Sequence, residues 1–145
     1  MEFILSTINC GCFLFLAFLH LFWVMGGKWA FAASIPTDIN GRRVLHPSRM
    51  GTFLVALVLL IFVLINFGFI GILNLPFDAK YVRYAMIAIS GIFILRFIGD
   101  FKYVGIFKKY RHSTFASHDT YLYSPLCLII AISHAILSLY YFDEL

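Results

Sequence analysis

Four long apolar runs dominate the chain, about residues 3–26, 48–75, 84–107 and 123–142, separated by short stretches in which the charged residues gather. Each run reaches the roughly 20 residues that an α-helix needs to cross the hydrocarbon core of a bilayer. The pattern predicts an all-α, polytopic membrane protein, a four-transmembrane-helix bundle in one domain covering residues 1–145. Breakers support these limits: Pro47 suits the first turn of the second helix, Asn74-Leu75-Pro76 ends it, and Pro125 falls near the start of the fourth. Asp119 or Thr120 is placed to cap a helical lead-in to that fourth span. The residues after the first run, Gly26 to Ala33, stay apolar, so they either extend the helix or fold back at the interface with Trp29 and Phe31 as anchors.

Composition agrees with this patterning: of 145 residues, 62% are hydrophobic and only 12% charged, leaving little chain for a soluble domain. The first run is not read as a cleaved signal, because Met1-Glu2 offers no positive leader and the run is long and contains His20 and Trp23. Lys28, Arg42, Arg43 and Arg49 follow the first span, and Lys108, Lys109 and Arg111 follow the third. The positive-inside rule therefore predicts a multi-pass protein of the inner or plasma membrane with both termini outside and both basic connections in the cytoplasm. The net charge of +4 is then a topology signal, and nothing points to nucleic acid.

Ionisable groups inside the runs are the candidate chemistry, since they are costly at membrane depth and rarely face lipid. Arg96 and Asp100 stand one helical turn apart in the third run and are expected to pair. Counted from the assigned helix ends, His20 and Asp100 share a depth roughly 10 Å in from the cytoplasmic side, with Arg96 and His134 one turn deeper. Arg96, Asp100 and Tyr103 share one face of the third helix, and Asn9, His20 and Trp23 one face of the first. Asn9 and Asn66 are expected to meet nearer the outer side. The competing readings are structural: a locking ion pair for Arg96 with Asp100, packed hydrogen-bonded histidines, and interfacial anchors for Trp23 and Tyr103. Cys10 and Cys12 point to different helix faces and Cys127 lies elsewhere, so no metal site is expected, and no cofactor is implied.

His20-Leu21-Phe22-Trp23-Val24-Met25-Gly26-Gly27, the run Arg96-Phe97-Ile98-Gly99-Asp100-Phe101-Lys102-Tyr103-Val104-Gly105, Thr114-Phe115-Ala116 with Asp119, and Tyr123-Ser124-Pro125-Leu126 together resemble a small integral-membrane family, domain of unknown function 3995. The resemblance spans nearly the whole chain. It implies a four-helix membrane fold, assigns no reaction, and adds Asp119 to the candidates. Asp119 is expected at the cytoplasmic surface, either pairing with Lys102 or Lys108 or capping a helix.

The expected site thus comprises His20, Trp23, Arg96, Asp100, Tyr103, Asp119 and His134. Three functions fit: binding of a lipid-like or other small molecule in a pocket open to the cytoplasm, a membrane enzyme with a His/Asp/Arg site, and a small proton-linked transporter that works as a homo-oligomer.

Overall fold

The computed structural model describes residues 1–140; the expected end of the fourth span at Phe142 lies outside the described residues. Among the described residues the regular structure is all helical, and four helical segments are long and apolar enough to cross a membrane: α1 (Glu2–Val24), α2 (Arg49–Phe69), α3 (Ala79–Ile98) and a composite fourth span, Thr114–Tyr140. The fourth span joins α4 (Thr114–His118), a π-helical turn (Asp119–Tyr123) and α5 (Ser124–Tyr140).

Local chemistry sets these limits. Ser48 caps α2 by accepting from the Gly51 N–H at 3.0 Å. That helix stops at Phe69, well short of Leu75, where Gly71 takes a φ of +74° and Ile72 N–H turns back to the Phe67 carbonyl. The third helix also ends earlier than expected, at Ile98 and not near Phe107, because Gly99 adopts a φ of +80°. The fourth span starts at Thr114, nine residues before Tyr123, with Ser113 accepting from the Ala116 N–H at 3.0 Å. Ser113 is therefore the cap, in place of Asp119 or Thr120.

The π turn precedes Pro125, which has no N–H to continue the α ladder and whose ring crowds the carbonyl four residues back. Ser124 N–H reaches the Asp119 carbonyl across this turn.

Helix α1 packs mainly on α2, and α3 mainly on the fourth span. The two pairs meet at Phe13, fully buried, whose ring lies 5.4 Å from Phe62, 5.7 Å from Phe93 and 5.5 Å from His134. Ser90 Oγ donates to the Ala131 carbonyl at 2.8 Å and ties α3 to α5. Large apolar side chains such as Phe15, Phe18, Leu54, Leu95 and Ile129 point outward. Such a surface would be an aggregation liability in water and is the face that lipid covers in a bilayer.

Residues beyond Val24 fold back instead of extending α1. Gly26 turns the chain with a φ of +96°, and Trp23 Nε1 donates to the Trp29 carbonyl at 2.8 Å. Phe31 then packs edge-on against Trp23, Arg43 lies over the Phe31 ring at 5.7 Å, and Tyr123 Oη donates to the Ala33 carbonyl at 3.3 Å. This strap is thereby pinned to the π turn of the fourth span.

Candidate functional site

Asp119, not Asp100, is the carboxylate that Arg96 meets. Its side chain is fully buried. Oδ1 accepts from Arg96 Nη2 at 2.9 Å, while Oδ2 accepts from the Gly105 N–H at 2.7 Å and from Lys108 Nζ at 3.1 Å. Lys108 is itself buried, with 1% of its side chain exposed. Its three protons go to Asp119, to the Gly105 carbonyl at 3.0 Å and to Thr120 Oγ1 at 2.7 Å. Thr120 passes its own proton to the Ala116 carbonyl at 3.0 Å, so Lys108 is completely satisfied.

The segment between Gly99 and Gly105 builds this cluster. Asp100 N–H donates to the Val104 carbonyl, and Ile106 N–H returns to the Phe97 carbonyl at 2.9 Å. The two glycines pass so closely that a Cβ on Gly99 would strike the Val104 carbonyl and one on Gly105 the Ile98 carbonyl. The close return is what delivers the Gly105 N–H to Asp119.

Asp100 lies in this turn, exposed and outside the helix. Its Oδ1 accepts from the N–H groups of Lys102 at 2.9 Å, Tyr103 at 2.7 Å and Val104 at 2.9 Å. Partial burial works to raise its pKa, yet the hydrogen bonds from Val104, Tyr103 and Lys102 prevail and hold the carboxyl below its ordinary value. The expected pairing with Arg96 fails because Gly99 ends the helical register between them, and three backbone donors claim the Asp100 carboxylate.

The remaining candidates fall into separate places. Tyr103 stacks on Tyr110 at 5.1 Å, with Lys102 Nζ 5.2 Å from its ring, so Lys102 is not a partner of Asp119. His20 donates Nδ1–H to the Leu16 carbonyl at 2.7 Å and packs on Trp23 at 4.9 Å; among the described residues neither Asp100 nor Arg96 is its partner.

His134 belongs to a second, intramembrane cluster. Its Nδ1–H donates to the Ile130 carbonyl at 2.8 Å, and its Nε2 accepts from Asn66 Nδ2 at 3.2 Å. The other Asn66 Nδ2 proton goes to the Phe62 carbonyl, Ser6 Oγ donates to Asn66 Oδ1 at 2.9 Å, and Ser133 Oγ donates to Asn9 Oδ1 at 3.0 Å. Asn9 Nδ2 sits 3.4 Å from His134 Nδ1, whose proton is given to Ile130, so Asn9 and Asn66 flank the imidazole and only Asn66 bonds it. Small polar side chains bonded across helices are ordinary glue within a bilayer. Asp119 and His134 are fifteen residues apart on the fourth span, roughly 20 Å, so Arg96 and His134 do not share a depth. The matched-depth expectation fails because both helix ends lie elsewhere than assigned.

Beside the charge cluster a cleft of about 740 Å³ opens between the two basic connections, lined among others by Asp38, Tyr110, Arg111, His112 and Phe115. Arg111 joins cleft to cluster by donating Nε–H to the Lys108 carbonyl at 3.3 Å.

A buried ion cluster on one end of four membrane-compatible helices defines a small multi-pass membrane protein. The family model described as Protein of unknown function (DUF3995) matches residues 13–134, and the chain belongs to that family. No curated protein and no solved structure matches it.

Of the two lysines that the sequence offers to Asp119 it is Lys108 that pairs with it, whereas the Gly105 N–H is a part of the site that the sequence reading misses. The legible signal was the pair of glycines bracketing Asp100, a turn pattern within an apolar run.

Proposed function

We propose that this single-domain protein binds a lipid-like or other small molecule at its basic end, with Arg96 and Asp119 as the polar core of the site and the neighbouring cleft as its approach. The observation that carries this reading is a charge mismatch: Arg96 and Lys108 share one carboxylate, Asp119. Lys108 is sealed in and needs Asp119, whereas Arg96 retains 34% of its side-chain exposure and has capacity to spare. The Lys and Arg content of both connections at this end supports a cytoplasmic placement, with both termini outside.

Transport is less well supported. Between Asp119 and His134 the buried positions of α5 are Ser124, Cys127, Ile130, Ala131 and Ser133, none of them a carboxylate or an imidazole that could relay a proton. For catalysis the expected base, His20, is partnered among the described residues by the Leu16 carbonyl and Trp23 and not by a carboxylate.

Native mass spectrometry of the detergent-purified protein tests the binding reading. The expected result is a small-molecule adduct on the wild type that is lost from folded Arg96→Met. Absence of any adduct, or one unchanged by Arg96→Met, contradicts it.

A further inference from the structure

Two buried polar atoms near the charge cluster have no hydrogen-bond partner: Arg96 Nη1 and Ser124 Oγ. Ser124 is fully buried, so its hydroxyl cannot turn to solvent. An orphaned polar atom of this kind costs free energy unless something fills the space beside it. Both residues are tied to Asp119: Arg96 through Nη2, and Ser124 through its N–H to the Asp119 carbonyl. The π turn sets Ser124 about one turn beyond Asp119, the residue that holds Arg96. Ser124 therefore shares the fourth span with the carboxylate that binds Arg96, one turn along from it.

We propose that Arg96 Nη1 and Ser124 Oγ donate to a singly charged oxyanion, a phosphodiester headgroup or an equivalent free anion, held beside Asp119. The inference rests on the binding reading above and adds the chemical class of the ligand. Charge supplies the class: two cations against one carboxylate leave an excess of one positive charge, which one monoanion neutralises. Donor geometry agrees, because the guanidinium spends Nη2 on Asp119 and keeps Nη1 for a second oxygen, while the serine hydroxyl adds a neutral donor. Position agrees as well. Arg96 stands two residues before the end of α3 and Asp119 near the start of the fourth span, at the level where headgroups lie. Leu95, Phe101 and Leu122 are exposed close by in sequence, apolar surface suited to the chains of an amphiphile.

The test is the thermal midpoint of the full-length protein in a neutral maltoside detergent. It is measured with sodium phosphate, with sodium chloride at matched ionic strength, and with added phosphatidylglycerol beside an equal amount of diacylglycerol. The wild type should rise by about 4 °C with phosphatidylglycerol or with phosphate, and not with chloride or diacylglycerol. A rise with the lipid alone assigns a headgroup; a rise with phosphate alone assigns a free anion. Arg96→Met should abolish the rise. Ser124→Ala, which removes no existing hydrogen bond, should keep the chloride midpoint and lose at least about half of the rise. No rise in the wild type, an equal rise with chloride, or a rise undiminished in both variants overturns the proposal. A neutral adduct that depends on Arg96 in mass spectrometry would leave the binding reading standing and overturn this one; no adduct at all removes both.

Discussion

Arg96 Nη2 donates to Asp119 Oδ1 at 2.9 Å across 23 residues of sequence, joining the end of the third span to the beginning of the fourth. The same carboxylate holds Lys108 Nζ and the Gly105 N–H, so one buried side chain anchors a helix end, a connecting turn and the next helix. Its loss and the loss of Arg96 are not equivalent. Removing Arg96 leaves a neutral Lys108–Asp119 pair, whereas removing the Asp119 charge leaves two cations without a counterion.

The turn that delivers Gly105 sets the first expectation. Gly99→Ala and Gly105→Ala each place a Cβ against a carbonyl at a positive φ, where alanine is strained before any collision is counted. Each should cost about 2 kcal/mol or more. Gly11→Ala, where a Cβ meets open space, should cost little. Unfolding midpoints of the three variants in one detergent check the contrast.

Asp100 makes the turn sensitive to acid. A carboxyl held below its ordinary value in the folded state contributes stability that is full above the unfolded pKa, roughly 4, and is lost as pH falls through the lowered folded value. Hydrogen exchange at the amides of Lys102, Tyr103 and Val104 should show protection at neutral pH that declines only under acid conditions. In Asp100→Asn the acid decline should vanish, and a wild-type loss of protection above pH 6 would contradict this assignment.

The His134 cluster predicts a purely structural phenotype. Asn66→Ala strands His134 Nε2 and leaves Ser6 Oγ only the longer bond to the residue-66 carbonyl, so it should cost about 1–2 kcal/mol, in line with interhelical hydrogen bonds in bilayers. At roughly 20 Å from Asp119, it should leave any Arg96-dependent adduct unchanged. Unfolding and native mass spectra on one preparation separate the two effects.

The four spans were legible in the sequence because apolar run length is a direct record of bilayer thickness. The ends of the runs were not. From Phe101 to Phe107 the chain stays rich in apolar residues although it has left the helix, since an interfacial turn is as apolar as the span that it follows. Extending the helix to Phe107 keeps Asp100 in helical register and gives Arg96 the wrong partner. Sequence spacing on a helix finds neighbours at three and four positions, but the Arg96–Asp119 pair is made by tertiary return of the chain. Lys108 was legible only as one of two cations in reach of Asp119, and the choice over Lys102 needed the path fixed by Gly99 and Gly105. Asn9 and Asn66 are legible as polar positions on facing helices, but the structure sets His134 between them in place of a direct pairing, and the depth of His134 depends on a helix start that the apolar run does not mark.

The most direct test compares Asp119→Asn with Arg96→Met by equilibrium unfolding in the same detergent. If Lys108–Asp119 is the structural pair and Arg96 the surplus cation, Arg96→Met should stay within about 1.5 kcal/mol of the wild type while Asp119→Asn loses about 3–5 kcal/mol or fails to accumulate. Equal destabilisation by the two substitutions would contradict the account, making Arg96 part of the structural lock and leaving no charge in reserve for a ligand.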